Sequence, residues 1–216
     1  MIHQARAWAM IHGTRSAVVL LVLACAIGAV AKGVTLPALG PISLPESFPV
    51  GALLPVILGV ALGLFCHAAV DPRVIELAPG RRRLVPVRAL WVGTGTATAV
   101  LAGSWVFASG DYGPSAVAAN VVLFAGLALS LVVLGRPDQA WLAPATWCLV
   151  AMVFGYRGGS TADWYWWAFP LDPDVSIARV VLSGAVWAVA AMAYSGRPLV
   201  RTGRPLVWPG RARAGS

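Results

Sequence analysis

Six long apolar runs follow one another along this chain, at 16–31, 50–70, 89–109, 115–134, 140–156 and 176–195, with short polar gaps between them. A helix needs roughly 20 mostly apolar residues to cross the hydrocarbon core of a bilayer. The runs are continuous rather than alternating, which favours helices over barrel strands. The expected fold class is therefore all-α: a polytopic membrane protein of six transmembrane helices.

The composition agrees. The chain is 59% hydrophobic and only 11% charged, where about 25% charged is usual for a soluble domain. A net charge of +8 raises the question of nucleic acid, but the cations occupy the gaps between apolar runs and form no extended basic surface, so no nucleic-acid partner is expected. Lys32 is the lone lysine among many arginines. With the abundance of Ala, Val and Gly, that bias reads as a GC-rich bacterial genome of actinobacterial type, and the expected location is the bacterial inner (cytoplasmic) membrane, multi-pass.

The gaps orient the chain. With the N-terminus inside, Arg6, Arg15, Arg73, Arg81, Arg82, Arg83, Arg88, Arg136, Arg197, Arg201, Arg204, Arg211 and Arg213 are cytoplasmic, while Lys32, Arg157 and Arg179 fall outside or near an outer end. Cytoplasmic loops concentrate Lys and Arg, so both termini are placed in the cytoplasm. Three regions result: a cytoplasmic or interfacial amphipathic segment at 1–15, a six-helix transmembrane domain at 16–195, and a basic cytoplasmic tail at 196–216. One alternative stays open. Arg6, Arg15, the apolar stretch from Ala17 and the small residues Ala29-Val30-Ala31 also resemble a cleavable signal peptide.

Motifs of chemistry are sparse. The sequence has no P-loop, no HExxH and no GxSxG. Cys25, Cys66 and Cys148 sit singly in apolar runs without metal-ligand spacing, and His67 beside Cys66 points to a different helix face. No catalytic residue, metal site or cofactor is expected in this chain. The deep polar groups are Asn120, Thr94, Thr96, Thr98, Ser104, Ser130, Thr146 and Ser183, and Arg179 lies near enough to a span end to snorkel. Gly59 and Gly63 form a GxxxG, a spacing that lets helices approach closely in lipid.

The most informative gap is 71–88, DPRVIELAPGRRRLVPVR. Asp71-Pro72 suits a helix start, a short amphipathic turn follows, and Pro79-Gly80 breaks it before three arginines. Anionic headgroups would be held by such a cluster, but headgroup binding does not account for the amphipathic turn or Glu76. The order Glu76, Leu77, Pro79, Gly80, Arg81, Arg82, Arg83 and Arg88 resembles the first cytoplasmic loop of type-2 ABC exporter permeases. That family also has six spans, an N-terminal interfacial helix (matched by 2–14) and an elaborate outer segment before the last span (matched by 157–175). This chain is shorter, its first external loop at 32–49 is long and Pro-rich, and its arginine cluster is denser.

The resemblance implies a permease subunit of an ATP-driven exporter for an amphiphile such as a peptide, antibiotic or lipid. Glu76, Leu77, Pro79, Arg81, Arg82, Arg83 and Arg88 would then dock a separate ATPase subunit, which would bind the ATP, and the permease would form a homo- or hetero-dimer in membrane lipid. In the outer segment, Trp164, Tyr165, Trp166 and Trp167 are the residues an interfacial aromatic belt selects. The competing expectation is a non-catalytic membrane immunity or assembly factor acting through helix–helix contacts. A lipid-modifying enzyme is disfavoured, because Asp163, Asp172 and Asp174 form the main acidic cluster and no His joins them.

Overall fold

The computed structural model describes residues 14–30, 35–37, 47–49, 54–66, 84–107, 113–155, 165–168, 170–172 and 174–196. Six α-helices make up most of it: α1 (Thr14–Val30), α2 (Leu54–Cys66), α3 (Leu84–Phe107), α4 (Pro114–Val133), α5 (Leu142–Phe154) and α6 (Ile177–Gly196). Each falls on one of the six apolar runs. Among the described residues the all-helical expectation has one exception, a short antiparallel ladder of Thr35–Pro37 and Ser47–Pro49 that pairs Leu36 with Phe48. It lies in the Pro-rich connection between the first two helices, where proline excludes a continuous helix.

Helix limits follow local chemistry. Extended Gly113 precedes α4, and Pro114 occupies its first position, where the missing N–H has no intrahelical acceptor to lose. At the other end Gly135 takes φ 80°, while Arg136 N–H donates to Leu131 O at 2.9 Å and Gly135 N–H to Val132 O at 3.1 Å. That paired closure needs a left-handed residue, which glycine supplies without a Cβ clash. α3 starts at Leu84, five residues before the apolar run expected at 89. Pro86 lies in its first turn and is tolerated there, so Arg88 is a helical residue.

Helix lengths separate the six. At 1.5 Å per residue, the 24 residues of α3 extend about 36 Å, and the 20 residues of α4 and of α6 about 30 Å. The 13 residues described for α2 and the 13 of α5 extend about 20 Å. Pro114–Val133 and Ile177–Gly196 are the two described helices long and apolar enough to cross a membrane.

α4 is the central helix, packing against α2, α3, α5 and α6. Its buried side chains are almost all small or aliphatic, with Phe124 the largest. Close backbone approach holds its two tightest crossings. A Cβ on Gly126 would come within 2.8 Å of Trp187 Cα and N on α6, and one on Gly59 of α2 would come within 2.5 Å of Phe124 Cβ. Gly59 therefore serves a contact inside this chain. On α3, a Cβ at Gly103 would meet Leu58 Cδ1 at 2.8 Å.

These contacts also give helix directions. Asn120 of α4 meets Arg179 of α6, and Gly126 meets Trp187, so α4 and α6 run parallel. Thr96 of α3 bonds Trp187, and Arg88 of α3 lies over Tyr194, so α3 runs against α6. An even step separates α4 from α6, and an odd one separates α3 from α6. Up-and-down alternation of consecutive helices produces this pattern.

Outward faces are greasy. Val181, Val189 and Met192 on α6, Leu101 and Trp105 on α3, and Val19 and Val22 on α1 are all exposed. Soluble monomers seldom expose contiguous apolar patches beyond a few hundred Å².

Candidate functional site

The most concentrated polar chemistry lies where the N-terminal ends of α4 and α6 meet the segment 170–174. Ser176 precedes α6, and its Oγ accepts a hydrogen bond from Arg179 N–H at 3.2 Å. This cap satisfies one of the free first-turn amides. It also fixes the start of α6 so that Arg179, in the first turn, faces inward.

Arg179 is only 2% exposed and is the largest fully buried side chain among the described residues. The expected snorkelling does not occur. Nη1 donates to Asp172 O at 2.7 Å and Asp174 O at 3.0 Å. Nη2 donates to Asn120 Oδ1 at 2.9 Å and Ala116 O at 3.3 Å. A planar fork of donors suits this job, because several acceptors can be met at once. The four acceptors are neutral carbonyl oxygens, two from the preceding loop and two from α4.

Asn120 completes the junction. It is fully buried, accepts from Arg179, and donates through Nδ2 to Pro170 O at 2.6 Å. Three carbonyls of the 170–174 segment are thus tied to side chains of α4 and α6. The Asp172 and Asp174 carboxylates do not accept from Arg179 in these bonds, and Asp172 Oδ1 instead accepts from Asp174 N–H at 2.9 Å. The arrangement latches a loop to two helices. Among the described residues, no three His, Cys, Asp or Glu side chains come together to hold a metal ion.

A second polar contact lies two turns along α6, where Trp187 Nε1 donates to Thr96 Oγ1 at 3.0 Å. Thr96 itself donates to Val92 O at 2.8 Å. Further on, the Arg88 guanidinium lies 5.9 Å from the Tyr194 ring centroid, within cation–π range.

The residues singled out from sequence divide three ways. Glu76, Leu77, Pro79, Arg81, Arg82, Arg83 and Trp164 lie outside the described residues, as do 1–13 and the tail after 196. Arg88 is half-buried on α3 and faces α6. Tyr165, Trp166 and Trp167 sit just before the latched segment but differ in role. Trp166 is 80% exposed, whereas Trp167 packs against the buried core, stacks on Tyr165 at 6.0 Å and 14°, and accepts at its carbonyl from Trp147 Nε1 at 3.1 Å. Tyr165 N–H also closes the segment by donating to Gly155 O at 2.8 Å.

Two apolar hollows flank this framework. One, of about 190 Å³, is lined by α1, α2 and α3, with Thr94 and Thr98 at its wall. Both hydroxyls bond back to carbonyls of their own helix. The other, of about 560 Å³, lies between α4 and α5 and reaches Trp147 and Trp167.

The latch itself is not foreseen from the sequence, which sets Arg179 and Asn120 apart. The signal is nonetheless present: an ionisable residue inside an apolar run is by default a candidate for function, with a polar partner on another helix.

Comparison with known proteins gives one partial likeness. Over 98 residues, covering 38% of this chain, the sequence is 30% identical to a sulfite dehydrogenase subunit of Allochromatium vinosum. The matched stretch spans 29% of that protein, well short of its full length. No family model matches the chain. No solved structure matches it either.

Proposed function

We propose that this chain is a non-catalytic, six-pass subunit of the bacterial cytoplasmic membrane that assembles with partner proteins through its helices and exposed loops. The observation that carries the reading is the distribution of polarity. Apolar faces of α1, α3 and α6 point outward, while the buried guanidinium and amide of Arg179 and Asn120 point inward. A membrane protein needs this inversion, because lipid solvates the first kind of surface and cannot solvate the second. The alternating helix directions fit serial crossings with both termini on one side.

The partner class follows from the one likeness found. A relative whose name makes it part of a sulfite dehydrogenase supports a role as the membrane partner of an oxidoreductase. In that role the redox chemistry belongs to companion subunits, and the latched 170–174 segment gives a firm surface at one membrane face.

The Glu76-to-Arg88 pattern supports a second reading, an exporter permease that docks a separate ATPase. One experiment separates the two. The tagged full chain is purified from its native membranes in mild detergent, and the proteins that accompany it in stoichiometric amount are identified. Redox subunits are the expected result. An ATPase released by changing Arg81, Arg82 and Arg83 establishes the permease instead, and a chain that purifies alone rules out both.

A further inference from the structure

Helical serines and threonines in apolar surroundings commonly bond back to a carbonyl one turn earlier. In this chain Thr94, Thr96, Thr98 and Ser130 all do so, at 2.8–2.9 Å to the carbonyls of Leu90, Val92, Thr94 and Gly126. Ser183 and Ser195 do not. Each is buried, at 1% and 7% exposure, and neither Oγ has a hydrogen-bond partner among the described residues.

Both are buried on α6 and fall on a four-residue spacing with its other polar groups, a row that winds gradually round the helix. Residues 179, 183, 187, 191 and 195 recur every fourth position, and Arg179, Ser183, Trp187 and Ser195 occupy four of the five. Ser183 is one turn, about 6 Å, from Arg179 on one side and from Trp187 on the other. The terminal nitrogens on either side are already engaged: Arg179 Nη1 and Nη2 with four carbonyls, and Trp187 Nε1 with Thr96. A buried hydroxyl left unbonded costs about 1–3 kcal/mol, and the usual remedy in a polar seam is an internal water making two to four bonds. Helix carbonyls and the Thr96 hydroxyl each keep a second lone pair for such a water.

We propose that Ser183 and Ser195 each hold an internal water, so that the buried face of α6 is hydrated at two depths about 18 Å apart. The buried face of α6 then has wet points at Ser183 and Ser195 and a dry, close contact between them where Trp187 meets Gly126. Water lets a helix shift without stranding polar groups, a property that close-packed aliphatic contacts lack.

The test uses the full-length, isotope-labelled chain in micelles. Long-lived waters give nuclear Overhauser transfer from the water resonance to the Ser183 and Ser195 amide protons. Ser183→Ala should abolish transfer at 183 and keep it at 195, and should lower Tm by about 2–4 °C, as loss of a bond worth roughly 1 kcal/mol would. Ser195→Ala should do the reverse. Absence of transfer at both amides in the wild-type chain overturns the proposal, and so does a Ser183→Ala chain whose Tm is unchanged or raised, since removal of a dry, unbonded hydroxyl relieves a cost. Should Ser183→Ala fail to fold, the wild-type transfer decides the matter.

Discussion

Arg179 and Asn120, 59 positions apart in the chain, share a 2.9 Å hydrogen bond between Nη2 and Oδ1 in the interior of the helix bundle. The bond joins α6 to α4, and each partner also reaches the loop that leads into α6. Removing Arg179 takes from Asn120 Oδ1 the donor it has in this bond, and removing Asn120 takes one of four acceptors from the guanidinium and the side-chain donor from Pro170 O.

Asn120→Leu should therefore destabilise the protein by about 1.5–3 kcal/mol, the range for a hydrogen bond to a charged group, because one acceptor of the guanidinium and the donor to Pro170 O are lost together. Denaturation of the purified chain in a fixed detergent checks this. A Leu variant as stable as the parent would show that the latch contributes nothing to stability.

Arg179→Lys tests geometry separately from charge. An ammonium keeps the charge but lacks the planar fork that meets acceptors on α4 and on the loop together. The expected outcome is a clear loss of stability, together with faster proteolysis within 165–175. Protection equal to the wild type would mean that charge alone suffices.

Glycine substitutions should divide by what the new Cβ meets. Gly126→Val pushes against Trp187 backbone, where nothing can rotate away, and overpacking of that kind costs at least about 1–3 kcal/mol. Gly184→Ala meets nothing within 4 Å and should be neutral or stabilising by up to about 1 kcal/mol through helix propensity. Melting temperatures of the pair decide, and equal values would contradict the close α4–α6 crossing.

The tryptophans near the latch should separate in the same way. Trp147→Phe loses the bond to Trp167 O and should cost about 1 kcal/mol. Trp166→Ala, at an exposed position, should leave stability within about 0.5 kcal/mol but alter membrane seating. Fluorescence quenching by brominated lipid reads that seating, since a Trp166 in the interface is quenched and its removal lowers the quenched fraction. A Trp166→Ala chain with unchanged quenching places that ring away from lipid.

Each of the six helices is legible in the sequence, because apolar runs bounded by Pro, Gly and Arg state the one solution that buries or lipid-solvates them. The run at 115–134 comes within one residue of α4 at each end, and Pro114 and Gly135 are residue types that suit its start and its closure. Helix length is less legible: α5 is shorter than its apolar run, since hydrophobicity does not report where backbone bonding stops. The Gly59 and Gly63 spacing is equally ambiguous. A GxxxG pattern promises close approach without naming the partner, and only the packing shows Gly59 against Phe124 of the same chain.

What the sequence by itself determined was the position and order of the apolar runs on which the six described helices fall, both of them local or compositional properties. Only the tertiary structure decided that Arg179 turns inward to Asn120 and not outward to water. A long side chain near a helix end has both options within reach. The choice depends on four carbonyl acceptors, from Ala116, Asn120, Asp172 and Asp174, which the chain brings together only when α4, α6 and the loop between α5 and α6 have packed.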